Sequence, residues 1–194
     1  LLINSETDKP RISEISEDIL RQDGVLVKIE YSTLNYKDCL AIIHGKPIIR
    51  KYPMVTGIDF SGTVLNDPSS GFKKGSKVLM TGFGMGEKFW GGHSELASVD
   101  ASFLLNIPSG FTMKNAMQCG TAGLTASMAL LKLRDFGLAP ESGKILVTGA
   151  SGGVGTISIL LLKKLGFHVI GATSNKENVE FLEKLGVQEI IETS

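Results

Sequence analysis

The sequence is poor in the residues that build metal centres and covalent staples. It holds two cysteines, Cys39 and Cys119, far apart in the chain, and three histidines, at positions 44, 93 and 168. This excludes a four-cysteine zinc site and a disulfide framework, and a histidine-rich site has little to draw on. Thiols used so sparingly fit reduced core positions in a cytoplasmic protein. An excess of one charge is missing too: 20 basic residues balance 20 acidic ones. No basic face therefore points to nucleic acid or to an anionic membrane. No apolar run approaches the ~20 residues that a membrane-spanning helix needs, and no signal peptide opens the chain. The hydrophobic share of 42% is ordinary for a globular protein.

Glycine is plentiful, and one cluster of it organises the chain. Lys144-Ile145-Leu146-Val147 leads into Thr148-Gly149-Ala150-Ser151-Gly152-Gly153-Val154-Gly155 and then the apolar stretch Ile157 to Leu162. A short β-branched run, a glycine turn and a long apolar segment predict strand, tight loop and helix. Ala150, Gly152 and Gly155 keep the spacing of the dinucleotide fingerprint, with Ala in place of its first glycine. Glycines there permit the turn, close backbone approach to a pyrophosphate and close helix–strand packing, and the helix N-terminus offers free N–H groups to the phosphates. Ser151, Gly152, Gly153, Val154 and Gly155 are thus candidate cofactor-binding residues. A βα turn that binds nothing is the plainer alternative.

Leu165-Gly166 closes the helix, Phe167 to Ala172 reads as a second strand, and Glu189-Ile190-Ile191 as a third. Where an NAD site places an acid for the ribose 2′-hydroxyl stand Thr173-Ser174-Asn175-Lys176. A carboxylate there would repel a 2′-phosphate, whereas Ser174, Asn175 and Lys176 are candidates to bind one, so the expected cofactor is NADPH. The chain starts at Leu1 rather than Met and stops just after the third strand, so both ends read as cut, with half of a nucleotide-binding sheet expected beyond Ser194.

Residues 1–110 have no β-α-β rhythm. Val25, Val27, Ile29 and Tyr31 alternate with Leu26, Lys28 and Glu30, as in a strand with a buried face. Ile58 to Leu65, Lys77 to Met80, His93 to Val99 and Phe103 to Ile107 are further short strands, separated by turns such as Asn66-Asp67-Pro68 and Lys74-Gly75. That spacing predicts a small barrel or sandwich. Asn35 to Ile43 is the one short helix expected here. Thr112 to Leu133, interrupted by Gly120-Thr121-Ala122-Gly123, predicts two helices or one broken one. The domains are placed at 1–110, β-rich and catalytic, and 111–194, linking helices and the N-terminal part of a nucleotide-binding domain.

Leu34-Asn35-Tyr36-Lys37-Asp38, Pro53 to Gly62, Thr81 to Gly92 with its Trp90, Gly120 to Ala126 and the glycine turn together resemble the medium-chain dehydrogenase/reductase superfamily. The branch they resemble is that of acrylyl-CoA reductases and quinone oxidoreductases. The resemblance implies an α/β protein, a GroES-like β-rich domain followed by the first half of a Rossmann domain. It implies NADPH-dependent reduction of an activated C=C bond, acrylyl-CoA to propanoyl-CoA, with a quinone as the alternative acceptor, and a homodimer in the full-length protein. A non-catalytic NADPH-binding protein is the alternative from another class. The sequence departs from the branch at Thr56, where a proline is common and a looser turn is expected, and at Lys176, where arginine is frequent.

The resemblance also implies a zinc-free site. Zinc-dependent relatives carry a catalytic cysteine near the first helix and a Gly-His-Glu motif; here those stretches read Asn35-Tyr36-Lys37-Asp38 and Gly57-Ile58-Asp59, and Ile58 has no donor atom. The candidate catalytic residues are Tyr36, Asn35 and Asp38. Tyr36 is a hydrogen-bond or proton donor beside the nicotinamide, or else a buried ring with a satisfied hydroxyl. Asn35 orients cofactor or substrate, and Asp38 holds a ribose hydroxyl or a neighbouring side chain; helix capping is the alternative for both. Thr121 reaches the nicotinamide or its diphosphate by resemblance. Trp90 walls a substrate pocket or packs on the β-rich domain, Arg50 and Lys51 are phosphate or carboxylate ligands or solvated charges, and His168 is structural, in a core strand. A short-chain dehydrogenase also fits Thr148 to Gly155, but no tyrosine follows the turn to supply its Tyr-x-x-x-Lys pair.

Overall fold

The computed structural model describes residues 1–20, 24–66 and 71–193; the Asp67-Pro68 part of one expected turn lies outside them. The chain forms two units, Leu1–Thr121 and Ala122–Ser194. The division falls beside a break in the helix that spans Met113–Asp135.

The first unit is built from β1 (Leu2–Ile3), β2 (Val25–Ser32), α1 (Tyr36–His44), β3 (Met54–Val55), β4 (Asp59–Val64), β5 (Lys77–Thr81), β6 (Leu96–Val99) and β7 (Leu105–Asn106). Five strands form an antiparallel sheet in the order β6-β2-β4-β5-β7, and β1 pairs with β3. Alternation places Val25, Val27, Phe60, Val64, Val78 and Met80 in one core, each at most 2% exposed. Fully burying a side chain of this size contributes roughly 1.5–3 kcal/mol. The alternation does not last to the end of β2. The register against β4 shifts between Ile29 and Tyr31, a bulge that turns the strand, so Tyr31 is 42% exposed rather than on the buried face.

A second cluster packs Ile3, Ala41, Ile49 and Met54 beneath α1, with Trp90 against it. Thr56, expected to loosen its turn, is fully buried and firmly held: its N–H donates to Leu1 O, its O accepts His93 N–H at 2.9 Å, and its Oγ1 lies 2.9 Å from His93 Nδ1. The other ring nitrogen, Nε2, lies 3.0 Å from the Thr33 carbonyl, which only accepts, so Nε2 carries a proton and donates it there. Cys119 is on the surface, not in a core; Cys39 is half-buried.

Helix α2 (Met113–Asp135) is broken at Gly120, with φ 49° and ψ −154°. In the second unit β8 (Lys144–Val147), α3 (Gly153–Lys164), β9 (His168–Thr173), α4 (Val179–Lys184) and β10 (Glu189–Glu192) follow in order. The three strands are parallel, in the order β10-β9-β8. Parallel neighbours need a crossover, and α3 and α4 supply it. Ala150, Ile159, Leu162, Val169 and Leu182 form the core between sheet and helices. His168 is not in this core: its Nε2 meets Glu189 Oε1 at 2.9 Å at the N-terminal end of the sheet, where Lys144 binds the same oxygen. These two partners, Lys144 first, hold the Glu189 carboxyl below its ordinary value.

Candidate functional site

The first unit carries a compact polar cluster around Asp59, the first residue of β4, which is fully buried. A buried carboxylate is costly unless every lone pair finds a donor. Here five donors converge. Thr33 N–H and Oγ1 donate to Oδ1 at 3.2 and 2.6 Å. Asn35 Nδ2, Thr121 N–H and Thr121 Oγ1 donate to Oδ2 at 3.0, 3.0 and 2.7 Å. The α2 break makes the last two possible, because ending the helical ladder at Gly120 frees the next N–H for a side-chain acceptor. A Cβ on Gly120 would lie 3.1 Å from Asp59 Oδ2, a tight contact, and its positive φ favours glycine.

Asn35 precedes α1, and its N–H donates to Asp38 Oδ2 at 2.8 Å as in a capping box. Asp38 Oδ1 accepts the Ile58 N–H at 3.0 Å, so this 1% exposed carboxylate ties α1 to the start of β4. Burial pushes its carboxyl above the ordinary value, the Asn35 bond and nearby His93 oppose that, and Asp59 adds to it. The structure thus places Asp38 as a brace beneath the helix, with both oxygens on backbone N–H groups. Tyr36, by contrast, is 80% exposed, so the buried-ring alternative is overturned. The structure brings Asn35, Asp38 and Thr121 into one neighbourhood.

Trp90 packs against its own unit and donates from Nε1 to Pro53 O at 2.9 Å. It also borders a cavity of about 300 Å³ with Phe89, Lys51 and Lys88. Arg50 is exposed, with its N–H on Glu87 O. Among the described residues no group of three or more His, Cys, Asp or Glu side chains is placed to hold a metal ion, and no helix is long and apolar enough to cross a membrane.

In the second unit the turn between β8 and α3 has the geometry its glycines predict. A Cβ on Gly155 would lie 2.3 Å from Gly149 O, so glycine lets the first turn of α3 sit directly on the loop. The first bond of α3 runs from Thr156 N–H to Gly152 O at 2.8 Å; the amides of Gly153, Val154 and Gly155 precede it, at the positive end of the helix. Gly152, Gly153 and Val154 are exposed there. Ser151 Oγ accepts from Asn178 Nδ2 at 3.0 Å. Ser174, Asn175 and Lys176 are all exposed at the end of β9, where Asn175 Oδ1 accepts Glu177 N–H at 3.0 Å.

Two acids escaped sequence reasoning. In the sequence Asp59 stands beside Ile58, where zinc-dependent relatives carry a ligand; an acid between Ile58 and Phe60 is its signal. Glu192 lies 3.5 Å from Lys176 Nζ, so a carboxylate does stand near the end of β9, supplied by the next strand. Its signal was the parallel register, which sets Glu192 beside Thr173.

Residues 21–109 match the alcohol dehydrogenase GroES-like domain. The acrylyl-CoA reductase AcuI of Ruegeria pomeroyi is 44% identical over 180 residues, 93% of this chain and 54% of that protein. The crystal structure of Escherichia coli K-12 YhdH with bound NADPH superposes with a TM-score of 0.94 at 40% identity, covering 98% of this chain and 60% of that one. Bacillus subtilis YhfP with NAD bound also gives 0.94, at 41% identity, over 99% of this chain and 59% of that one. The chain therefore spans somewhat more than half the length of these relatives. Fold and matched domain together define a GroES-like unit followed by part of a Rossmann-type nucleotide-binding unit. Over nearly all its length the chain is similar to medium-chain dehydrogenase/reductase proteins, among them ones named acrylyl-CoA reductase and quinone oxidoreductase.

Proposed function

We propose that the chain is part of an NADPH-dependent, zinc-independent oxidoreductase that reduces an activated C=C bond, with acrylyl-CoA to propanoyl-CoA as its reaction. The observation that carries the cofactor is the Gly155 contact: a Cβ there would meet Gly149 O at 2.3 Å, so glycine lets α3 seat on the turn with the amides of Gly153, Val154 and Gly155 at the positive end of the helix. Ser151 to Gly155 hold the pyrophosphate in this reading, and Ser174, Asn175 and Lys176 the 2′-phosphate. The thioester substrate is supported by the 44% identity to a protein named acrylyl-CoA reductase.

When bound, NADPH supplies a hydride to the β-carbon of the acceptor. The chain's own residues manage the charge and proton that follow. Asn35 and Thr121 orient the ring, Asp38 holds the helix start from which Tyr36 projects, and the exposed Tyr36 hydroxyl gives up a proton as enolate charge develops. A phenol O–H is a hydrogen-bond donor and can pass its proton to the α-carbon of the developing enolate. The free thiols of Cys39 and Cys119 support a reducing, cytoplasmic setting, and a homodimer belongs to the same reading.

A steady-state comparison of acrylyl-CoA with a simple quinone, each with NADPH, tests the substrate. Faster turnover of the quinone would replace the thioester reading with the quinone one, and binding of NADPH without oxidation by either acceptor would make the protein a non-catalytic binder. In single turnover, Tyr36→Phe is expected to slow hydride transfer about 10²–10⁴-fold with NADPH affinity nearly unchanged. A Phe variant at full speed removes Tyr36 from the chemistry.

A further inference from the structure

The loop after β9 is organised by its own side chains. Thr173 Oγ1 accepts the Asn175 N–H at 3.3 Å, and Asn175 Oδ1 accepts the Glu177 N–H at 3.0 Å. The Asn178 N–H then closes the turn on Asn175 O at 3.0 Å. From the backbone held in this way, Asn178 reaches back to the glycine turn, where its Nδ2 donates to Ser151 Oγ at 3.0 Å, 27 positions earlier in the chain. Asn178 precedes α4 but caps none of its N–H groups, so the Ser151 contact is the one use of its side chain among the described residues. A serine hydroxyl has one hydrogen to donate and two lone pairs to accept with. Asn178 occupies one lone pair, and no acceptor among the described residues takes the Ser151 hydrogen. Ser151 is half-buried immediately before the exposed Gly152, Gly153 and Val154.

We infer that Asn178 is a positioning residue for the dinucleotide's pyrophosphate: it holds Ser151 Oγ from behind, so that the hydroxyl hydrogen faces the anion at the start of α3. Resting on the cofactor reading above, this divides one loop between two phosphate sites. Lys176 acts on the 2′-phosphate, which NADPH alone carries. Asn178, two residues further on, acts through Ser151 on the pyrophosphate, which NADPH and NADH share. Asn178 therefore sets affinity without setting cofactor choice. An aspartate at this position would do the opposite of the amide. A carboxylate only accepts, so it would draw the Ser151 hydrogen to itself and place a like charge near the phosphates.

Dissociation constants of NADPH and NADH, measured in the whole protein by fluorescence titration, test this. Ser151→Ala is expected to weaken both cofactors about 10–100-fold, as loss of a hydrogen bond to a charged group does. Asn178→Ala should weaken both about three- to tenfold and leave their ratio as in wild type, and Asn178→Asp should weaken both further. In the Ser151→Ala background, Asn178→Ala should change nothing, because the group through which it acts is gone. A purely structural loss at Asn178 would persist in that background, so the double variant separates positioning from packing. Unchanged affinity in Asn178→Ala or in Ser151→Ala, a loss confined to NADPH, or additive losses in the double variant overturns the inference while leaving the cofactor reading intact. Failure of wild type to bind either dinucleotide overturns the cofactor reading, and this inference with it.

Discussion

At the scale of the residue, Gly120 and Asp38 carry consequences that follow from their surroundings alone. Gly120 sits at φ 49° and ψ −154°, a region open essentially to glycine, and its missing Cβ leaves room for the Asp59 carboxylate. Gly120→Ala is expected to cost about 1–3 kcal/mol, a drop of several degrees in Tm by calorimetry. An unchanged Tm would show that the break in α2 does not need glycine. Asp38 has its folded carboxyl raised above the ordinary value of 3.8, chiefly by burial, with His93 and Asp59 as the charged or titratable groups facing it. The folded state therefore holds this proton more tightly than the unfolded chain does. The stabilisation is complete below about pH 4 and is lost as pH rises through the folded value. Asp38→Asn should accordingly show its largest stability deficit relative to wild type in acid, narrowing toward neutrality, in denaturant titrations across that range. A deficit that widens with pH would reverse the assignment.

At the scale of the element, the proposed 2′-phosphate site brings opposite charges together at the ends of β9 and β10. Lys176 offers an ammonium to a 2′-phosphate, while Glu192 pairs with that ammonium and places a second charge hostile to phosphate beside it. The pair is largely exposed, so its worth is small, roughly 0.2–1 kcal/mol. Glu192→Gln should therefore tighten NADPH up to about fivefold with little change for NADH. Lys176→Glu should weaken NADPH about 10–100-fold and NADH much less, since a charge-assisted phosphate contact is lost. Parallel titrations with both cofactors check this, and equal losses for the two would remove the loop from 2′-phosphate recognition.

At the scale of the whole molecule, the chemistry proposed needs no metal, and the reason lies in how the acids are already engaged. Ile58 offers no donor, both oxygens of Asp38 accept backbone N–H groups, and Asp59 has five donors upon it. Exhaustive chelation of the whole protein is expected to leave its activity unchanged, with zinc well below stoichiometric by elemental analysis. Activity lost to chelation and restored by zinc alone would mean that these carboxylates rearrange around an ion.

Local chemistry was enough to read much of this protein. The β8–turn–α3–β9 order follows from a β-branched run, a glycine cluster and an apolar stretch, because each is decided within a few residues. Helix α1 and the broken helix α2 follow from patterning and from Gly120 for the same reason. What patterning missed depended on partners distant in sequence. The bulge in β2 that exposes Tyr31 is a matter of register against β4, and the Lys176–Glu192 pair of the spacing between parallel strands. In the sequence Asp38 lies in a short helix and Asp59 opens a strand, and neither shows its partners. Only the fold decides that one braces a helix start while the other gathers Thr33, Asn35 and Thr121, because a buried carboxylate takes its role from whichever donors folding brings to it.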